Sequence, residues 1–174
     1  QILDNLIASG KAKPMIVVMT NGNPGDAAAP NVGAKKSEGQ SNPGSMGSGK
    51  FEESLVNDVI PFIEKNYNVI ANKDNRAVAG LSMGGIQTMY LTNNHPEQFS
   101  YFGVMSMGLV DMKRFGGNND PSERLKGLEK LKSSNPKLYW IGCGKQDFVY
   151  QGAADLRKFL DENKKRKGVI TTAS

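Results

Sequence analysis

The sequence predicts an α/β fold in which a mostly parallel sheet carries helices on both faces. Segments typical of strands alternate with segments typical of helices along the 174 residues, as in chains built from strand–helix–strand units. The runs Met15–Met19 and Leu138–Cys143 are apolar throughout, which is typical of parallel strands buried on both faces. Ser82 stands between glycines where a third strand-like run meets a helix-like segment. We expect one domain over residues 1–174.

Helix signals recur along the chain. Ile2–Ser9 has a single apolar face and stops at Gly10. Phe51–Tyr67 carries an apolar residue at every fourth position, and Pro61 is predicted to kink this helix. The other predicted helices are Gln87–Asn93, Glu123–Leu131 and Ala153–Asn163. The predicted strands are Met15–Met19, Arg76–Leu81, Tyr101–Ser106, Leu138–Cys143 and Val169–Thr172.

The pentapeptide G-L-S-M-G at positions 80–84 matches G-x-S-x-G, a sharp turn that lifts a serine hydroxyl above the end of a sheet. We expect glycine to be needed at both 80 and 84 because the turn is too tight for side chains there. The following helix points N–H groups and positive dipole charge toward the surroundings of Ser82. The strand before the motif and the helix after it favour a nucleophile elbow over an ordinary glycine-rich turn.

Asp147 is the candidate acid for a catalytic triad. Hydrolases built on this turn have the order serine, acid, histidine along the chain, and the acid follows a later strand. Asp147 comes just after Leu138–Cys143 and so satisfies both order and placement. Asp111, which follows Tyr101–Ser106, is the rival candidate.

The chain contains a single histidine, His95, and its position does not suit a general base. The elbow helix separates it from Ser82, and its far end is about 15–20 Å from the serine. We therefore expect the general base to be absent from this chain. Cys143 has no histidine beside it and is predicted to be a small buried core residue.

The net charge of +5 and the pI near 9.3 are compatible with binding to nucleic acid, but the basic run Lys164–Lys167 does not indicate it. Cations at a helix end are expected from the dipole, and no aromatic residues interleave with them. We predict no nucleic-acid partner. No apolar stretch has the length of a membrane span, and no signal peptide is recognisable, so no membrane association is predicted.

The long connection Asn21–Gly49 is rich in Gly, Pro, Ser and Asn. It leaves the carboxyl end of a predicted strand, where open α/β sheets bind ligands, so it is either a substrate-facing loop or a plain surface loop. Its end resembles a phosphate-binding loop, but Phe51 stands where a magnesium-binding Ser or Thr is required and no strand precedes it. We expect no nucleotide chemistry there.

Several blocks of the chain together resemble carbohydrate esterase family 1, the feruloyl-esterase branch of the α/β-hydrolases related to esterase D. The resemblance runs from Ile2 to about Gly168. It is carried by residues 2–7, 13–19, 51–55, 58–64, 79–85 and 138–147.

The resemblance implies a serine esterase that uses no metal and no organic cofactor. It implies Ser82 as nucleophile, Asp147 as triad acid and the N–H of Met83 as an oxyanion-hole donor. The implied substrates are feruloyl (hydroxycinnamoyl) or acetyl esters on plant cell-wall polysaccharides such as arabinoxylan. The implied setting is secreted or periplasmic, with fusion to a glycoside hydrolase in the parent protein.

The chain departs from the family pattern at both ends. The family's His-Gly-type loop and its later Gly-Gly-His-Thr-Trp-like segment have no counterpart here. We therefore expect an incomplete domain that is inactive by itself. The alternative is a non-catalytic α/β-hydrolase-like module that binds carbohydrate or a protein partner.

Overall fold

The computed structural model describes residues 1–20, 22, 49–110, 121–163 and 169–173. Within them, four strands form one open sheet in the order β1-β2-β3-β4, and every neighbouring pair is parallel. The strands are β1 (Ala77–Leu81), β2 (Tyr101–Met105), β3 (Leu138–Gly142) and β4 (Val169–Ala173). Parallel neighbours require a crossover, and one helix follows each of the first three strands.

All five predicted helices are present, but Phe51–Tyr67 is divided into two α-helices, and the last three helices begin two to four residues earlier than predicted. The described helices are α1 (Ile2–Ala8), α2 (Lys50–Ser54), α3 (Ile60–Asn66), α4 (Met83–Asn94), α5 (Pro121–Ser134) and α6 (Tyr150–Glu162), with 3₁₀ turns at Lys73–Asn75 and Pro96–Gln98. None of these helices is both long and apolar enough to cross a membrane.

A π-helical turn, Leu55–Val59, lies just before Pro61, where the sequence predicts a kink. Proline has no N–H to donate to the carbonyl four residues earlier, so the regular hydrogen-bond ladder is interrupted there. The N–H of Ile60 instead donates to the oxygen of Leu55, five residues back. The predicted helix Phe51–Tyr67 is therefore two α-helices, α2 and α3, joined by one wider turn.

The core lies between one face of the sheet and the three crossover helices. The inward-facing residues of β2 and β3 alternate along each strand and are at most 6% exposed; they are Phe102, Val104, Tyr139 and Ile141. The helices cover them with buried leucines, namely Leu91 of α4, Leu131 of α5, and Leu156 and Leu160 of α6. An α/β fold with a parallel sheet flanked by helices is thus confirmed.

The segment Met15–Met19 does not form the buried strand that its apolar run predicts. Its side chains are 44% to 91% exposed, and it has no partner in the sheet. A strand is stable only where a neighbour accepts its backbone hydrogen bonds and its side chains are covered. In the described chain β1 pairs with β2 alone, and α1, which precedes the segment, buries none of its residues.

Candidate active site

Ser82 occupies the turn between β1 and α4 in a conformation that few residues other than glycine adopt. Its φ is 55° and its ψ is −112°. Its N–H donates to the carbonyl oxygen of Met105 at 2.9 Å, and its own carbonyl accepts from the N–H of Ile86 at 3.1 Å. The backbone is therefore held on both sides of a strained residue while the side chain is exposed to solvent.

Gly80 is required by the close approach of α4 to β1. A Cβ at position 80 would lie 2.1 Å from the carbonyl oxygen of Gly84, which is backbone and cannot give way. Gly84 itself meets no such limit, because a Cβ there would have nothing within 4 Å. The prediction that glycine is needed on both sides of Ser82 is thus confirmed at position 80 and wrong at position 84.

Met83 is the first residue of α4. The first N–H groups of a helix have no intrahelical acceptor, and they carry the positive end of the helix dipole. Such a group beside an exposed serine can donate to an oxygen that gains negative charge. The role of Met83 in an oxyanion hole stays a prediction that this geometry suits.

Asp147 lies in the turn between β3 and α6, where its carboxylate accepts a hydrogen bond from the N–H of Val149 at 3.1 Å. The hydroxyl of Ser106 and the thiol of Cys143 lie close enough to this carboxylate to lower its pKa by hydrogen bonding. The bond from Val149, followed by that from Ser106, holds the pKa of Asp147 below its ordinary value. The group is therefore ionised at neutral pH and able to accept a further hydrogen bond.

Ser82, Ser106 and Cys143 each follow one of three adjacent parallel strands. The N–H of Ser82 bonds to Met105 and that of Ser106 to Gly142, at 2.8 Å, so the backbone ladder continues past the strand ends. With about 4.8 Å between neighbours, the first and third strand ends are about 10 Å apart. That span leaves room for an imidazole hydrogen-bonded to both Ser82 and Asp147 with bonds of about 2.7–3.0 Å.

His95 lies at the other end of α4, about 20 Å from Ser82 at the rise of an α-helix. Its Nε2 is 2.7 Å from a carboxylate oxygen of Glu53 on α2, and its Nδ1 is 3.8 Å from Glu97. The hydrogen bond to His95 lowers the pKa of Glu53. The single histidine therefore ties α2 to the end of the elbow helix and does not reach the serine.

The structure places two further side chains, those of Cys143 and Ser106, beside the carboxylate of Asp147. Cys143 is half-buried, and its thiol contacts the carboxylate of Asp147. Burial, with a smaller contribution from Asp147, raises its pKa and keeps the thiol protonated. Cys143 packs against the core as predicted, but it is only partly buried and also touches Asp147. Ser106 was missed altogether, although a polar residue directly after a strand next to the elbow is a signal that could have found it.

The two described residues of the connection Asn21–Gly49 both contact α4. The carbonyl of Gly22 accepts a hydrogen bond from the buried side chain of Gln87 at 2.8 Å. Gly49 has a φ of 74°, and a Cβ there would lie 2.2 Å from the hydroxyl of Tyr90. The rest of the connection, the rival acid Asp111 and the basic run Lys164–Lys167 lie outside the described residues. So does most of the loop resembling a phosphate-binding loop.

Within the described ranges, no group of three or more His, Cys, Asp and Glu side chains is placed to hold a metal ion. The chemistry that the described residues offer is that of an exposed serine, a nearby helix N-terminus and an ionised carboxylate two strands away.

Comparison with known proteins agrees with that chemistry. The Esterase family model matches residues 1–170, so the chain belongs to the esterase family. A solved ferulic acid esterase superposes with a TM-score of 0.62 at 21% identity, over 98% of this chain and 66% of that one. At this identity the superposition shows the fold.

Two relatives carry xylanase names. The chain is 37% identical to an endo-1,4-beta-xylanase/feruloyl esterase of Xylanibacter ruminicola, over 84% of the chain and 16% of the relative. It is 29% identical to endo-1,4-beta-xylanase Y of Acetivibrio thermocellus, over 60% of the chain and 9% of the relative. The predicted resemblance to a feruloyl-esterase type of family is thus confirmed, and the chain spans a small part of both relatives.

Proposed function

We propose that this chain is the nucleophile-bearing part of a serine esterase in which Ser82 attacks the carbonyl carbon of an ester. The observation that carries the proposal is the strained, exposed serine at the joint of β1 and α4. Strain of this kind persists only where the surrounding structure holds it, and it is concentrated at functional turns. The N–H of Met83 is the proposed donor to the oxyanion that forms on the substrate carbonyl.

In the proposed reaction, a histidine oriented by Asp147 accepts the proton of Ser82 as the tetrahedral intermediate forms. The same histidine returns the proton to the departing sugar hydroxyl, leaving an acyl ester on the serine. Water, deprotonated by the histidine, then attacks that ester and releases the free acid. Each cycle consumes one water and restores the serine hydroxyl.

The histidine of this reaction is proposed to come from the polypeptide that follows β4 in the full-length protein. β4 lies beside β3 and parallel to it. The carboxyl end of β4 therefore lies at the same edge of the sheet as Asp147. His95 is paired with Glu53 at the far end of α4 and is not a candidate.

The proposed substrates are feruloyl (hydroxycinnamoyl) or acetyl esters on plant cell-wall polysaccharides such as arabinoxylan. One relative is named as both a xylanase and a feruloyl esterase, and the other is named as a xylanase; these names support this substrate class and fusion to a glycoside hydrolase. Phe148, directly after Asp147, is 92% exposed and offers an aromatic surface beside the site. Membership of carbohydrate esterase family 1 and a secreted or periplasmic location are parts of the same proposal.

A non-catalytic module that binds carbohydrate is the second candidate, because the sequence has one histidine and it lies at the wrong end of α4. The test uses the full-length protein encoded by the parent gene. Wild type and Ser82→Ala are assayed for initial rates on methyl ferulate and p-nitrophenyl acetate and for binding to arabinoxylan. The matched control is Ser133→Ala on α5, whose hydroxyl only bonds to the preceding turn.

The proposal expects hydrolysis that Ser82→Ala abolishes and Ser133→Ala leaves intact. Binding of arabinoxylan without hydrolysis by wild type would support the second candidate. Hydrolysis that survives Ser82→Ala would overturn the serine mechanism.

A further inference from the structure

Ser106, directly after β2, is the second strained serine at this edge of the sheet. Its φ is 45°, a value that residues other than glycine rarely adopt. Its N–H is held by the carbonyl oxygen of Gly142 at 2.8 Å, and its side chain hydrogen-bonds to the carboxylate of Asp147. The strained backbone is thus coupled to a contact with the proposed triad acid.

The donors to that carboxylate differ in where they come from. Val149 and Cys143 lie within four residues of Asp147 and move with the same turn. Ser106 lies 41 positions earlier, on the neighbouring strand. Only this bond, of the three, connects the carboxylate to another strand.

The residue before Ser106 contacts the proposed nucleophile. The carbonyl oxygen of Met105 accepts the hydrogen bond from the N–H of Ser82 at 2.9 Å. The dipeptide Met105-Ser106 therefore holds the backbone of Ser82 on one side and the carboxylate of Asp147 on the other.

We propose that Ser106 is a positioning residue, which holds one oxygen of Asp147 so that the other faces the triad histidine at a fixed distance from Ser82. The inference rests on the proposed function, since it requires a histidine between Ser82 and Asp147. Ser106 acts through Asp147 and has no proposed contact with substrate.

The backbone conformation of Ser106 decides which variants are informative. Alanine would remove the hydroxyl but keep the strain of a positive φ. Glycine removes the hydroxyl and accepts this φ without cost, so Ser106→Gly isolates the loss of the hydrogen bond. Asparagine tolerates the left-handed region and carries an amide donor, so Ser106→Asn is the conservative rescue. Asn135→Gly is the matched control, because Asn135 has a φ of 52° and precedes the opposite end of β3.

The experiment measures kcat and KM for methyl ferulate in the full-length protein, with melting temperatures to check folding. Ser106→Gly should lower kcat about tenfold to a hundredfold with KM nearly unchanged, as expected when a catalytic group is misplaced by a fraction of an ångström. Ser106→Asn should recover part of the loss, and Asn135→Gly should match wild type.

A double-mutant cycle separates positioning from general structure. If Ser106 acts through Asp147, Ser106→Gly should have little further effect in an Asp147→Asn background. Equal losses in both backgrounds, or no loss from Ser106→Gly in wild type, would overturn the inference. If Ser82→Ala retains activity, the proposed function fails first. If Ser82→Ala is inactive but the cycle is additive, only the role of Ser106 fails.

Discussion

The two ends of helix α4 present opposite environments. At the amino end, Ser82 is exposed and strained, and it stands beside a helix N-terminus. At the carboxyl end, His95 has a negative φ of −130° and is only partly exposed, with both ring nitrogens near carboxylates. The residue type most often used as a catalytic base thus lies at the end of the helix that is paired with α2, and the proposed nucleophile lies at the other end.

Under the proposed function, position decides the role of each of these side chains more than its intrinsic chemistry does. The imidazole of His95 connects α4 to α2, because its Nε2 lies 2.7 Å from a carboxylate oxygen of Glu53. The hydroxyl of Ser82 gains its proposed role from a tight turn, from α4 and from the strand ends beside it.

Removing each side chain in turn gives the largest contrast. In the full-length protein, Ser82→Ala should lower kcat for methyl ferulate about 10⁴-fold or more, because the attacking oxygen is lost. His95→Ala should leave kcat within about twofold, since its loss touches no part of the proposed triad. Initial rates with matched circular dichroism spectra make the comparison. A large loss in kcat from His95→Ala with an intact fold would contradict the assignment of the two ends.

Asp147→Asn should lower kcat about 10³–10⁴-fold, because an amide favours the wrong tautomer of the triad histidine. Asp155→Asn on α6 is the matched control, since its carboxylate only accepts from Gln151 on the same helix. Asp111→Asn should also have a small effect. If Asp111→Asn proved more damaging than Asp147→Asn, the acid would have to be reassigned.

Phe148→Ala should change substrate choice and leave the chemical step intact. Its exposed ring is expected to cover the aromatic part of a feruloyl group, so KM for methyl ferulate should rise about five- to tenfold by the loss of aromatic contact. KM for p-nitrophenyl acetate is measured as well, and Phe148→Tyr serves as the ring-preserving control. Equal changes for both esters would remove Phe148 from the recognition of the acyl group.

The smallest effect is expected at the carboxyl end of α4, in the pH dependence of stability. Glu53 has a lowered pKa in the folded protein, so its pairing contributes stability above its unfolded pKa that is lost as pH falls through the folded pKa. Glu53→Gln should therefore lower the melting temperature slightly near pH 6, and the gap should close as the solution becomes acidic. The pair is partly exposed, so the loss should be at most about 1 kcal/mol.

Glu52, next to Glu53 on α2, should show the opposite pH dependence of stability. Glu52 is 2% exposed, and burial raises its pKa. Because ionisation of Glu52 costs stability in the folded protein, wild type should lose stability as pH rises, and Glu52→Gln should become more stable relative to wild type. The melting temperatures of wild type and of both variants are measured from pH 4 to pH 8. If the two differences from wild type changed in the same direction with pH, this explanation would be contradicted.

The fold was largely predictable because periodicity and apolar runs report burial directly. The alternation of strand and helix from Arg76 onward, the turn at Ser82 and the place of Asp147 after β3 all follow from local patterns. The exposed, unpaired state of Met15–Met19 was not predictable from the sequence. An apolar run indicates a tendency toward burial, but it does not supply the neighbouring strand that a hydrogen-bond ladder requires.

The contacts of the candidate site were less predictable because they join distant parts of the chain. Ser106 adopts a positive φ that serine does not signal, and its bond to Asp147 depends on the strand order. The pairing of His95 with Glu53 spans 42 positions and left no trace in either local pattern. Gly80 was predictable from the motif, whereas the open space at Gly84 was visible only in three dimensions.

A trapped acyl-enzyme would show directly whether Ser82 is the nucleophile. Full-length protein is mixed with p-nitrophenyl ferulate, quenched with acid during turnover, digested and analysed by mass spectrometry. The account predicts a mass increase of one feruloyl group on the peptide that contains Ser82, and its absence in Ser82→Ala. Steady hydrolysis with the acyl group on another residue, or on none while Ser82→Ala remains active, would contradict it.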